Sequence, residues 1–257
     1  MDADVAAIAK LFADRTRATV LATLMSGRAH TAGELANEAG VAPSTMSAHL
    51  NQLLAVGAIE TVAQGRHRYV RLADRRLADV FEALALAAPA KPVRSLRTFT
   101  HGEHLRRARS CYDHLAGQVA VEMADGLFAS GAFCDDGDGL NLTDSGGDRL
   151  RAVGVDVDAA RARAATTRRR FATRCLDWSE RTDHLAGALG AAILTAARDH
   201  GWVASGPVHR SLAVTPAGEA VFDHLSDVRA GTAAGDAART VPQVGRPSWA
   251  AQDGQAP

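Results

Sequence analysis

Cysteine is scarce. Three residues in 257, Cys111, Cys134 and Cys175, are too few and too scattered for the disulfide framework of a small secreted domain. Aromatic residues make up 5% of the chain, so any core must be built mainly from aliphatic side chains and alanine. Lysine is nearly missing, with Lys10 and Lys91 alone against many arginines, a bias that base composition explains as easily as binding. No N-terminal basic-then-apolar segment occurs, and no apolar run approaches the ~20 residues of a membrane span. The expectation is a cytoplasmic protein with reduced thiols and no membrane partner. Net charge is also lacking: 29 Lys and Arg balance 29 Asp and Glu, which excludes a polycation and confines any nucleic-acid surface to a local patch. Catalytic signatures are missing as well. There is no GxGxxG, P-loop, HExxH or GxSxG, so a binding protein is expected rather than an enzyme.

What is abundant is alanine, leucine and arginine, all good helix formers. A mainly α protein with small β-hairpins follows, and the length favours two domains over one. Residues 1–90 read as one unit. Ile8, Leu11 and Phe12 begin a helical stripe, and "DRTRATVLATLMSG" continues it from an N-cap at Asp14 to a stop at Gly27. "TAGELANEAG" places Thr31 three residues before Glu34, the spacing of a capping box, and Gly40 ends that short helix. Pro43 suits the first turn of the next helix. There Met46, Leu50, Leu53 and Leu54 share one face, and Gly57 closes it. "AIETVA" and "HRYVRL" alternate as paired strands around "QGR", and a last helix carries Leu77, Val80, Phe81 and Leu84. "APAKPV" then marks a linker.

Helices followed by a glycine-stopped helix, a two-stranded ribbon and a final helix make a winged helix-turn-helix, whose second paired helix fits the major groove of B-DNA. The face opposite the apolar stripe holds Ser44, Thr45, Ser47, Ala48, Asn51 and Gln52, short or polar enough to approach base edges and phosphates. His49 stands at the boundary, able to reach a phosphate or to bond within the domain. In the ribbon, Arg66, His67 and Arg68 follow Gly65, suited to the DNA backbone or the minor groove. Double-stranded operator DNA is the expected partner.

"LFADRTRATVLATLM", "TAGELANEAGVAPSTMSAHLNQLLAVGAIE" and "GRHRYVRL" resemble the ArsR/SmtB (arsenical-resistance repressor) family of bacterial winged-helix regulators. The resemblance covers about residues 3–86, a third of the chain. It rests best on Arg17, on "SAHL" at Ser47–Leu50 and on Gly65–Tyr69. It implies a homodimeric repressor joined by its first and last helices and relieved by an effector, a small molecule or a metal. Metal sensors of that family carry a cysteine pair before the recognition helix or an Asp/His set on the last helix. "TAGELANEAG" has no cysteine and "LADRRLADVFEALA" no histidine, so neither metal site carries over.

Residues 93–228 contain a weak internal duplication. "CYDHLAGQVAVEMADGLFASGAF" recurs as "CLDWSERTDHLAGALGAAILTAARDHGWV". Each copy leads through a turn-rich gap, "CDDGDG" or "ASGPVHR", to a strand and a helix cap at Thr143 or Thr215. The expectation is a C-terminal α+β domain of two winged-helix-like repeats, serving as sensor and dimerisation unit. "DDGDG" lacks the pattern of an EF-hand loop and reads as a hairpin turn. "DAARARAATTRRRFATR" reads as a basic helix with a solvated face, and residues 229–257 as a disordered tail. Trp178, with Asp177 and Glu180, is placed to line a pocket between the copies, and Trp202 to fill a hairpin core.

Cys111 and His114 are three apart, one helical face, a spacing that suits two ligands to one metal. Cys175 and His184 would converge on them only if Cys175 precedes its helix. Such a Cys2His2 set favours zinc, or a thiophilic ion if the thiolates dominate. Without a tight CxxC pair the plainer reading is favoured: small core cysteines, and histidines satisfying backbone groups. The alternative function is a metal- or thiol-redox-responsive sensor. No cofactor is otherwise required, and the operator, the regulated genes, the effector and the direction of its action are not encoded legibly.

Overall fold

The computed structural model describes residues 5–65, 67–88, 96–135, 140–167 and 169–228. The N-terminal unit runs α1 (Val5–Phe12), α2 (Arg15–Leu24), β1 (His30–Thr31), α3 (Ala32–Ala39), α4 (Pro43–Ala55), β2 (Ile59–Gln64), β3 (His67–Leu72) and α5 (Arg75–Ala87). Its punctuation is chemical. The Asp14 carboxylate accepts from the Arg17 N–H to open α2. Thr31 and Glu34 form the reciprocal capping box of α3, which ends on left-handed Gly40. Pro43 starts α4. β2 and β3 pair antiparallel from Ile59↔Leu72 to Gln64↔His67, and the short β1 adds to the far edge of β3, giving the order β1-β3-β2. Leu11, Leu21, Leu24, Leu35, Met46, Leu53, Ile59 and Val70 are buried together in its core. Leu54 departs from expectation. It is 36% exposed, because the buried stripe follows Met46, Leu50 and Leu53 and leaves the next position rotated outward.

After α6 (Leu96–Arg107), the element order is β4 (Arg109–Cys111), β5 (His114–Ala116), α7 (Gln118–Ala129), β6 (Phe133–Asp135), β7 (Leu140–Leu142) and α8 (Asp144–Ala152). Then come α9 (Val157–Thr166), β8 (Thr173–Leu176), β9 (Asp183–Ala186), α10 (Gly187–Asp199), β10 (Val203–Ser205), β11 (Leu212–Val214) and α11 (Pro216–Ser226). Thr143 and Thr215 cap α8 and α11 by accepting from the N–H of Gly146 and Gly218. Trp202 is buried against Phe222 in the C-terminal core. The linker at 89–95, the gap at 136–139 and the tail at 229–257 lie outside the described residues.

Two expectations are corrected. Cys111 and His114 are not on a helix: they face each other across the closing pair of the β4–β5 hairpin, and α7 begins only at Gln118. The turn between them is made by Tyr112, which takes φ 57° without being glycine. The basic helix also stops early. α9 ends at Thr166, where the hydroxyls of Thr166 and Thr167 donate back to the Arg163 carbonyl and the backbone turns extended.

The two halves are packed together. The Tyr112 N–H donates to the Met25 carbonyl at 2.7 Å, and His209 Nε2 donates to the Thr23 carbonyl at 2.7 Å. Arg210 reaches across to Glu82 of α5 at 2.8 Å, with Glu82 itself buried.

Candidate nucleic-acid interface and a buried cysteine–histidine cluster

α4 separates its two faces sharply. Met46, Leu50 and Leu53 are buried, whereas Ser44, Thr45, Ser47, Ala48, Asn51 and Gln52 are exposed. The Ser47 hydroxyl donates to the Pro43 carbonyl at 2.9 Å, and its oxygen remains able to accept. Gln52 accepts from Arg17 Nη1 at 2.6 Å. Arg17 also donates to the Lys10 and Leu11 carbonyls at the end of α1, so one guanidinium ties the first helix to the outward face of α4. His49 lies half-buried with Nδ1 3.6 Å from the Asp14 carboxylate, over the cap of α2. In the wing, Gly65 takes φ 58° and His67 and Arg68 are exposed. Arg66 lies outside the described residues.

The C-terminal half brings Cys111, His114, Cys175 and His184 together from two hairpins. Register pairs Cys111 with His114 in one hairpin and Cys175 with His184 in the other. One ligand atom from each of the four lies within 4.8 Å of every other. The two Nε2 atoms of His114 and His184 face each other at 3.1 Å. Cys111, His114 and His184 are buried and Cys175 half-buried. Cys134 stands apart, exposed in β6 with its thiol directed to the Asn141 carbonyl.

Each imidazole is backed by a carboxylate. His114 Nδ1 is 3.4 Å from Asp113, and His184 Nδ1 is 3.3 Å from Asp177, the latter short of good hydrogen-bond alignment. Both carboxylates are themselves fixed. Asp113 receives a forked pair of bonds from Arg169, which also donates to the Gly187 carbonyl. Asp177, fully buried, accepts from Arg109 Nη2 at 2.9 Å, from the Gly117 N–H at 2.7 Å and from Ser179. Arg109 is equally buried, lies 4.7 Å over the Trp178 ring, and approaches Glu82 at 4.0 Å. The Trp178 ring therefore packs on Arg109, the partner of Asp177. Burial, the largest influence on both Asp113 and Asp177, pushes them up, but the histidine and arginine partners outweigh it and hold both well below the ordinary carboxylate range. The Cys111 thiol is pushed up to about 12 by its hydrogen bond with Cys175 and by burial. His184 is raised. Burial opposes this, and Asp177 and Cys111 overcome it.

A cleft of about 1030 Å³ leads to this cluster. Cys175 lies on its wall with Arg163, Arg169 and Arg174 from the C-terminal half and Arg75, Asp79 and Glu82 from α5. Sequence reasoning missed Asp113, Arg109, Arg169 and Glu82. Asp113 was within reach, since it directly precedes His114 as Asp183 precedes His184.

A helical core, a helix with an outward polar face and an antiparallel wing define a winged helix-turn-helix protein, and residues 12–62 match the family model described as a helix-turn-helix domain. The chain is 40% identical over 227 residues to the HTH-type transcriptional regulator YdfF of Bacillus subtilis (strain 168), covering 88% of this chain and 99% of YdfF. It belongs to the helix-turn-helix transcriptional regulators, with a DNA-binding domain at its N-terminal end. Among solved structures, the cadmium metal-sensor CMTR of Mycobacterium tuberculosis is 28% identical, covering 36% of this chain and 100% of that one, with a TM-score of 0.29. NolR of Sinorhizobium fredii is 23% identical over 34% of this chain and 85% of its own, with a TM-score of 0.31. HlyU of Vibrio cholerae N16961 is 22% identical over 31% and 85%, with a TM-score of 0.29. No helix among the described residues is long and apolar enough to cross a membrane.

Proposed function

We propose that the chain is a homodimeric repressor of the ArsR/SmtB type, whose N-terminal unit reads an operator and whose residues 93–228 sense an effector. The observation that carries the reading is the exposed hydroxyl- and amide-bearing face of α4, set beside the wing over a wholly apolar buried face. Ser44, Thr45, Ser47, Ala48, His49, Asn51 and Gln52 read base edges and adjoining phosphates, and His67, Arg68 and the neighbouring Arg66 grip the backbone. In fluorescence anisotropy against genomic fragments, Asn51→Ala lowers operator preference by about 1–3 kcal/mol and leaves nonspecific affinity nearly intact. Arg68→Ala weakens all sequences and lowers the slope of affinity against salt by about one charge. An unchanged slope would remove the wing from the backbone contact.

Dimerisation through the first and last helices of the winged unit is supported by exposed apolar side chains on both: Val5 on α1 and Val80 and Leu84 on α5. Val80→Glu with Leu84→Glu yields monomers in sedimentation analysis. The C-terminal half is proposed to be two winged-helix-like repeats. The order hairpin, helix, hairpin, helix at 109–152 and again at 173–226 supports this. It is proposed to bind and not to catalyse, so the full chain should show saturable ligand binding without turnover. The second reading, a regulator answering a metal ion or thiol oxidation, is favoured by the convergence of both cysteines and both histidines.

A further inference from the structure

We propose that Cys111, His114, Cys175 and His184 form a closed tetrahedral site for one thiophilic divalent cation of the zinc class, which clamps the β4–β5 and β8–β9 hairpins together. The inference rests on the reading of the C-terminal half as a sensor and names what it senses. The site lies outside the winged unit and uses none of the positions at which metal sensors of the resembled family hold their ions.

Three observations converge on it. The first is reach. A tetrahedral ion with bonds of about 2.0–2.3 Å holds its ligand atoms about 3.3–3.8 Å apart. Here all four lie within 4.8 Å and the two nitrogens at 3.1 Å. Closing the set requires side-chain adjustments of an ångström or less, on two hairpins whose backbones are already in place.

The second is the pair of facing rings. His114 Nδ1 is within hydrogen-bond reach of Asp113 and His184 Nδ1 faces Asp177 at 3.3 Å, a backing that in a filled site would fix each histidine with its Nε2 lone pair forward. The two Nε2 atoms stand 3.1 Å apart in the interior, and with both rings neutral and protonated on Nδ1 their lone pairs would oppose each other. A proton on one ring or a cation between both resolves the repulsion. A proton has no use for sulfur, whereas Cys111 and Cys175 supply the two remaining corners of a tetrahedron.

The third is charge. Capture of a dication displaces one proton from each thiol to solvent, and two thiolates with two neutral imidazoles leave the filled site neutral. The flanking Asp113 and Asp177 are already balanced by Arg169 and Arg109. No unpaired charge is buried in the filled state. The mixed S2N2 set selects zinc and its softer congeners over magnesium or calcium, which require oxygen. Half-buried Cys175 on the wall of the cleft gives the ion its way in.

The test uses the reduced full-length chain, stripped of metal and reloaded with zinc or cobalt(II). One ion per chain is expected, with a cobalt spectrum showing thiolate charge transfer and tetrahedral ligand-field bands. Cys111→Ser and Cys175→Ser should each lose at least the roughly 10–100-fold in affinity that follows loss of an outer-shell partner, and Cys134→Ser nothing. Should the serine variants not fold, zinc must still protect half-buried Cys175, but not exposed Cys134, from alkylation of the wild-type chain, read by mass spectrometry. Substoichiometric binding, an octahedral cobalt spectrum, equal alkylation of Cys175 and Cys134, or a Cys111–Cys175 disulfide in a chain that takes up no zinc would overturn the site. Operator binding by a chain that holds no ion leaves the repressor reading standing without it, while loss of operator binding in both stripped and loaded chains overturns that reading instead.

Discussion

Gly27 shows how much a single residue constrains the contact between the halves. Its φ of 71° is one that L side chains rarely adopt, and a Cβ there would lie 2.6 Å from the Tyr112 carbonyl oxygen. Gly40 shares the conformation, at φ 65°, but has nothing within 4 Å of its absent Cβ. An alanine at Gly40 therefore pays only the left-handed cost of about 1–2 kcal/mol. At Gly27 it must also push away the turn that joins Cys111 to His114. Urea denaturation should find Gly27→Ala clearly more destabilising than Gly40→Ala. Equal costs would mean that the Tyr112 turn yields freely. Glycine as a stop was legible at Gly27, but its neighbour was not, because Tyr112 is 85 positions further along the chain.

At the scale of elements, what the sequence disclosed depended on how local the cause was. Caps at Asp14, Thr31, Thr143 and Thr215 are formed within three residues of themselves, and each was readable. The hairpins bearing the cluster were not. Strands of three or four residues are too short to show alternation, and the β4–β5 turn uses Tyr112 where a glycine would have announced it. A clue existed in the spacing. Two residues separate Cys111 from His114 and eight separate Cys175 from His184. A helix cannot keep two side chains in register across both separations, but a hairpin with loops of different length can. Glycine in "HLAG" has the same explanation in both copies: Gly117 and Gly187 take φ of 90° and 84° at the start of α7 and α10.

The caps also carry a pH dependence. Backbone donation from Arg17 holds Asp14 below its ordinary value, backbone donation from Thr31 does so for Glu34, and the Arg76 side chain for Asp74. A carboxylate depressed in the folded state adds stability that is present above its unfolded value. That stability is lost as pH falls through the lower folded value. Thr31→Ala should cost about 1 kcal/mol at neutral pH, and somewhat less once Glu34 is protonated, because the Thr31 hydroxyl then loses its carboxylate acceptor while the bond it accepts from the Glu34 N–H persists. A loss that stays constant from neutral to acid would mean that the bond from the Thr31 hydroxyl to the Glu34 carboxylate contributes nothing in solution. Denaturation midpoints across the acid range decide it.

Over the whole molecule, the connection between the two units was the least legible feature, because it is made by side chains far apart in sequence. Glu82 and Arg210 are 128 positions apart, Arg109 and Asp177 68. From His184 the contacts run to Asp177, to Arg109, to Glu82 on α5 and to Arg210, buried for most of the way. Glu82 touches neither the cluster nor the outward face of α4, yet it receives the C-terminal half on the helix proposed to join the dimer. If the ion acts by favouring one arrangement of the winged units over another, it must bind the two arrangements unequally, and this path is where their difference would be felt. Glu82→Gln keeps the shape and removes the charge that Arg210 and Arg109 approach. It should leave zinc stoichiometry and apo operator affinity near those of the parent. The change in operator affinity on adding zinc, of the about 5–150-fold usual for coupled sites, should shrink toward none. Titrating operator in the presence and absence of zinc, parent against Glu82→Gln, measures that difference directly. A variant that keeps the full response would place the coupling elsewhere, with the Tyr112–Met25 contact next to be tested.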